Sequence, residues 1–322
     1  MKKTIAVIVS LMLTLVLAAA CGGGSGAPPA DSQAGSPAPA AGSSPAPAAG
    51  GSQPPASSEP AAGNTSSFDS SRDIAVVSRE DGSGTRGSFI EIFGVLHDGV
   101  DRTTPEAQFA DGTNVVLTSV AGNTYAIGYV SMGALNPTVK ALAVDGVDPT
   151  VANVNNGTYP VMRPFNIAYQ ELSDVAQDFY NFLFSEEGQA IVDDRGYIEV
   201  SSTGPFVSTR PSGTVAISGS TSVAPVMERL IFAYEELNPN AVMELMSTGS
   251  SAGIRDATEG VVDIGMASRE LSDTEKAALN HRPICIDGIA IITNLDNPAD
   301  SISSEAVTAI YIGDVTSWSD VS

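Results

Sequence analysis

Three stretches of small and polar residues carry the atoms most able to do chemistry in this chain: SREDGSGTR at 78–86, GSTS at 219–222 and TGSSAG at 248–253. Each follows a strand-like run (IAVVS at 74–78, TVAIS at 214–218, AVMELMS at 241–247) and leads into a helix-like one. A small-residue loop that opens a helix leaves backbone N–H groups uncovered at the positive helix end. Ser and Thr hydroxyls add further donors, so the pattern suits an anion. Helix capping accounts for any single Ser or Thr taken alone; three loops of one form point beyond capping.

The same loops satisfy two enzyme patterns. Gly249, Ser251 and Gly253 fit GxSxG, with Ser251 as nucleophile and His281 as nominal base, but that chemistry needs a strained strand-to-helix turn and a placed acid. Gly82, Gly84 and Gly87 fit the dinucleotide pattern GxGxxG, without a clear ribose-binding acid at the end of a following strand. His97 and His281 are the only histidines, and no cysteine cluster accompanies them, so a zinc site of the usual spacing is not expected. No cofactor is expected. The net charge of −22 argues against nucleic acid and anionic membrane surfaces as partners, so a bound anion must be held by local donors.

The elements positioning these loops alternate between strand and helix, as α/β layers do. Further strands are predicted at 126–132, 139–144, 165–169, 263–267 and 284–293. One long helix is predicted over 173–195, capped by Ser173 and ended by Gly196. Residues 113–121 read either way: Val115, Val116 and Thr118 favour a strand, whereas Thr113 as cap and Gly122-Asn123 as stop favour a helix.

The N-terminal stretch is of another kind. Lys2 and Lys3, an apolar run at 5–17 and three alanines before Cys21 read as an export signal over residues 1–20; the run is shorter than the roughly 20 residues a spanning helix needs. Small residues ahead of a cysteine resemble the lipobox of bacterial lipoproteins, which implies acylation of Cys21 and anchoring to the bacterial cell membrane. Residues 21–71 are almost all Gly, Ala, Pro, Ser and Gln and cannot build a core, so they read as a disordered tether. With Cys21 lipidated, Cys285 has no partner for an intramolecular disulfide and reads as a small buried hydrophobe. About 250 residues remain, more than one compact core usually holds, so two lobes are expected.

Seven segments carry a family resemblance: SREDGSGTR (78–86), AIGYVSMG (126–133), ISGSTSVAPVME (217–228), STGSSAGI (247–254), DIGMASREL (263–271), IDGIAIITN (286–294) and IYIGDVTSWSDV (310–321). Together they resemble the phosphate-binding protein family of the phosphate-specific ABC transporter. The resemblance implies a two-lobed, type II periplasmic-binding-protein-like α/β fold. It implies an extracytoplasmic, monomeric binding protein, not an enzyme, that hands inorganic phosphate to importer permease subunits; sulfate or molybdate on the same fold is the alternative. The segments are reordered, because in the family ISGSTS comes first and SREDGSGTR follows TSWSDV. The order resembles a circular permutation, with the old ends joined through 198–215, a split lobe of 72–140 plus 290–322, and a continuous lobe of 141–289.

Matched residue by residue, the resemblance implies that Thr221, Ser222 and Ser250, with Arg79, Ser83, Gly84 and Thr85, hold the ligand, Arg79 serving as cationic fork and Asp81 orienting it. Where family members carry an aspartate that accepts the proton of hydrogen phosphate, this chain has Arg269. Arg269 then reads as a second cation or a partner of Glu270, and Asp287 as the candidate acceptor or, equally, an exposed turn residue.

Overall fold

The computed structural model describes residues 68–321; the expected signal segment, Cys21 and nearly all of the expected tether lie outside the described residues. The main strands in chain order are β1 (Ala75–Arg79), β2 (Gln108–Ala110), β3 (Ala126–Ser131), β4 (Met162–Tyr169), β5 (Gly213–Gly219), β6 (Ala241–Ser247), β7 (Ile264–Ala267) and β8 (Asn280–Thr293). The main helices are α1 (Gly84–Ile92), α2 (Thr113–Ala121), α3 (Asp174–Leu183), α4 (Glu186–Asp194), α5 (Ala224–Leu237), α6 (Ser250–Thr258), α7 (Asp273–Ala278) and α8 (Ser304–Ile312).

The strands form one mixed sheet in the order β6-β5-β7-β4-β8-β3-β1-β2. β5 runs parallel to β6 and β7, and β1 runs parallel to β2 and β3. These two parallel groups are joined by β8, 14 residues long, which is antiparallel to both of its neighbours. Its first part pairs with β4 as far as Gly288↔Met162; from Ile289↔Ser131 onward it pairs with β3. A single strand thus serves both halves of the sheet.

Two large apolar clusters follow that division. Phe165, Phe179, Phe182, Val215, Ile217, Val226, Leu230 and Ile264 pack together on one half. Ile74, Phe89, Ile127, Tyr129, Ile289, Ile291, Ile310 and Trp318 pack on the other. Leu142, Val144, Val154, Tyr159 and Val161 join this second cluster. The first and last described segments also meet. Asp73 bridges to Ser317, and the Ser319 amide donates to the Ser70 carbonyl at 2.7 Å.

One local expectation is corrected, and one left open is decided. The helix over 173–195 is two helices, α3 and α4, broken at Phe184-Ser185. Ser185 starts the second, its hydroxyl accepting from the Gly188 amide, and a side chain on Gly188 would overlap the Phe182 carbonyl. Residues 113–121 are helix, with Val116, Leu117 and Val120 buried on one face. That packing overrides the strand preference of its β-branched residues. Among the described residues, no helix is long and apolar enough to cross a membrane, and no group of three or more His, Cys, Asp or Glu is placed to hold a metal ion.

Candidate functional site

Arg79 is the last residue of β1 and is 2% exposed, so its guanidinium must find its partners inside the protein. Two edges of that group are used differently. Nε donates to Glu80 Oε2 and Nη2 to Glu80 Oε1, both at 2.7 Å. On the other edge, Nη2 donates to Thr221 Oγ1 at 2.9 Å and Nη1 to Thr113 Oγ1 at 3.3 Å. Glu80 Oε2 also accepts from the Gly112 amide at 3.1 Å. Burial alone would raise the Glu80 carboxyl, but the hydrogen bonds and charge of Arg79 and the Gly112 amide hold it below its ordinary range.

Around this pair the starts of four helices converge. Thr85, in the first turn of α1, lies with its hydroxyl 2.8 Å from that of Ser222, ahead of α5. Thr113, the first residue of α2, lies with its hydroxyl 3.2 Å from both Thr221 Oγ1 and Ser222 Oγ. Ser250 opens α6. Its hydroxyl accepts from the Ser268 amide at 3.2 Å, while the Ser268 hydroxyl accepts from that of Ser220 at 2.9 Å. Gly84 closes the group from the β1 side. A Cβ there would overlap Ser250 Oγ and lie 2.8 Å from Ser268 Oγ, so only glycine permits this approach of α1 to α6.

The structure therefore brings together Arg79, Gly84, Thr85, Thr221, Ser222 and Ser250 from loops more than 100 residues apart in the chain. Ser83 sits beside them, 6% exposed, but its hydroxyl accepts from the Arg86 amide at 3.3 Å and caps α1.

Three assignments are corrected. Asp81 does not orient Arg79; its carboxylate is exposed and pairs with Arg86, because Glu80 is the neighbour whose side chain lies along the guanidinium. Arg269 is neither a second cation of the cluster nor a partner of the Glu270 carboxylate. It makes a two-fold pair with Glu275 Oε2 and Oε1 at 2.7 and 2.8 Å, and only the Glu270 carbonyl accepts from it. Asp287 is no exposed turn residue and makes its hydrogen bonds away from the cluster. It is 1% exposed on β8, where Ser131 Oγ donates to it at 2.9 Å and Arg163 Nη2 at 3.2 Å. Burial pushes its carboxyl up to about 6, against the pull of Arg163, Ser131 and the Gly133 amide.

Sequence reasoning missed Glu80, Thr113, Ser220 and Ser268 as members of the cluster. Glu80, Ser220 and Ser268 lie inside the quoted motifs, so the signal was present without a way to rank it. Thr113 carried only a capping signal. The enzyme patterns gain no geometry. Ser251 and His281 are both exposed, Ser251 on α6 and His281 opposite Ala168 in the sheet, and no hydrogen bond joins them among the described residues.

With this arrangement in view, comparison with known proteins is informative. The PBP superfamily domain matches residues 63–187 and 205–322. The chain belongs to that superfamily. It is 42% identical over 267 residues to phosphate-binding protein PstS 2 of Streptococcus agalactiae serotype V, covering 80% of this chain and 91% of that protein. The crystal structure of a phosphate-binding protein of a phosphate ABC transporter from Streptococcus pneumoniae TIGR4 matches with a TM-score of 0.64 at 43% identity. That match covers 78% of this chain and 100% of the other. The phosphate-binding protein PstS of Bacillus subtilis (strain 168) is 37% identical over 135 residues, covering only 39% of this chain and 42% of that protein. The fold is thus the two-lobed, type II periplasmic-binding arrangement, with β8 as a strand shared between the lobes.

Proposed function

We propose that this protein is an extracytoplasmic binding protein that closes its two lobes on inorganic phosphate and delivers it to an ABC importer, and that it is not an enzyme. One observation carries the reading. Arg79 and Thr85 of one lobe reach Thr221 and Ser222 of the other at 2.9 and 2.8 Å, so both lobes supply donors to a single point. Charge-assisted hydrogen bonds contribute about 1.5–3 kcal/mol each, and an anion placed there would collect several at once. Hinge motion about the shared strand β8 opens and closes such a cleft. The high-identity relatives, named for phosphate binding, supply the ligand's identity.

In this reading Arg79, Ser83, Gly84, Thr85, Thr221, Ser222 and Ser250 contact the anion, and Glu80 keeps the guanidinium in place. Residues 1–20 are a signal, Cys21 carries the lipid, and 21–71 tether a monomeric domain to the cell membrane. The lobes comprise 72–140 plus 290–322, and 141–289, with 142–161 packed into the core of the first.

The permuted order is also proposed. Two findings support it. The superfamily match is interrupted over 188–204, which overlaps the start of the segment 198–215 expected to join the old ends. The Streptococcus relative aligns along 91% of its length, whereas the Bacillus one aligns along 42%, as expected if a collinear alignment reaches only one half of an unpermuted relative.

The test is titration calorimetry with phosphate in the presence and absence of sulfate. Saturable phosphate binding that persists in tenfold excess sulfate is expected. Equal competition by sulfate would overturn the specificity, and absence of any anion heat would overturn the function. Trp318 is a poor reporter, being fixed beside the first described segment with Nε1 donating to the Tyr125 carbonyl at 2.9 Å.

A further inference from the structure

Each edge of the Arg79 guanidinium faces oxygen. Glu80 covers the Nε–Nη2 edge, whereas the Nη1–Nη2 edge faces two hydroxyl oxygens, Thr113 Oγ1 and Thr221 Oγ1, which lie 3.2 Å apart. Two oxygens side by side against one guanidinium edge is the arrangement a tetrahedral oxyanion adopts in a two-fold pair with arginine. Thr221 belongs to the loops the proposed function already uses. Thr113 comes from a fourth loop, between β2 and α2, and is 3% exposed.

What the Thr113 hydroxyl does not do is equally informative. A hydroxyl kept for helix stability bonds a backbone amide of its own helix, as those of Ser83, Ser173, Ser185 and Ser303 do. α2 has no side-chain cap. Its cap position is Gly112, and the bonds of Thr113 Oγ1 go to Arg79, Thr221 and Ser222. Local helix chemistry therefore leaves this buried hydroxyl unexplained.

We propose that Thr113 is an anion-contacting residue, sharing with Thr221 the oxygens that lie along the Nη1–Nη2 edge of Arg79. The proposal rests on the phosphate reading above. A hydroxyl can accept from one neighbour and donate to another. On anion binding, the Thr113 and Thr221 hydroxyls turn from each other and from Arg79 to donate to the ligand, whose oxygens take their place along the Nη1–Nη2 edge.

Calorimetric titration with inorganic phosphate tests this with Thr113→Val, which keeps the branched shape, and Thr113→Ser, which keeps the hydroxyl. Loss of one donor to a charged ligand is expected to weaken binding by about 10- to 100-fold in Thr113→Val. Thr113→Ser is expected to stay within about threefold of the wild type on the same argument, with a ligand-free thermal midpoint like that of the wild type. Should the valine protein fail to fold, Thr113→Ala carries the same expectation. Wild-type affinity in the valine or alanine variant overturns the inference while the phosphate function stands, as does a serine variant as weak as the valine one. Absence of phosphate binding in the wild type removes the function and the inference together.

Discussion

Among the described residues, two arginine–carboxylate pairs hold an almost fully buried arginine, and they behave in opposite ways. Arg79–Glu80 stands where the lobes meet, with Nε, Nη1 and Nη2 of the guanidinium all hydrogen-bonded and the carboxyl held below its ordinary range. Arg163–Asp287 stands where β8 passes from β4 to β3, joining Arg163 of one half of the sheet to Ser131 of the other through a single carboxylate. There Nε and Nη1 of Arg163 lack partners among the described residues, burial lowers the arginine, and Asp287 is pushed up to about 6. A buried ion pair stabilises only when hydrogen bonds satisfy its remaining donors and acceptors. The hydroxyl-rich loops do this for Arg79. The apolar surroundings of Arg163, including Phe165 with its ring centre 5.4 Å away, do not.

The largest effect that would break this comparison is on binding. Arg79→Ala is expected to lower phosphate affinity by at least about 10³-fold, since several charge-assisted bonds are lost together. A loss under tenfold by calorimetry would mean that Arg79 is only structural.

At the other pair the effect is on folding. Asp287→Ala leaves the Arg163 charge buried and is expected to cost about 3–4 kcal/mol in urea unfolding. Replacing both partners, as Arg163→Met with Asp287→Leu, is expected to recover most of that loss. A double variant no better than the single one would contradict the account.

The same carboxyl predicts a pH dependence. Because the folded state holds the Asp287 proton more tightly than the unfolded chain, its stabilising contribution is fully present below about pH 4 and is lost as pH rises through about 6. Relative to Asp287→Asn, the wild type should therefore lose about 2–3 kcal/mol between pH 4 and 7. Parallel stability profiles across that range would show that the carboxyl is not shifted.

The smallest effect sharpens the first pair. Glu80→Gln keeps the shape but weakens the clamp, and is expected to reduce phosphate affinity by about tenfold. Glu80→Gln combined with Asp81→Asn should be no worse than Glu80→Gln alone. A further loss in the combination would restore to Asp81 a role that the geometry gives to Glu80.

Much of this protein could be read from its residues. The strands ahead of the three small-residue loops and the helices after them follow from local rules of backbone hydrogen bonding, capping and apolar spacing, which act over a few residues. β6 coincides residue for residue with the strand predicted at 241–247, whereas the mixed local signals of 113–121 become the helix α2 only through packing. Arg79, Thr85, Thr221, Ser222 and Ser250 are singled out within those loops by the family resemblance, matched residue by residue.

What the chain does with its carboxylates was decided only in three dimensions. Glu80 and Asp81 are adjacent in sequence and similar in chemistry, yet one lies along a buried guanidinium and the other is exposed. Asp287 and Ser131 are 156 residues apart and meet only because β8 is shared by both halves of the sheet. Side-chain partners of this kind depend on how the lobes dock, and packing over such separations leaves no local periodicity for a sequence to display.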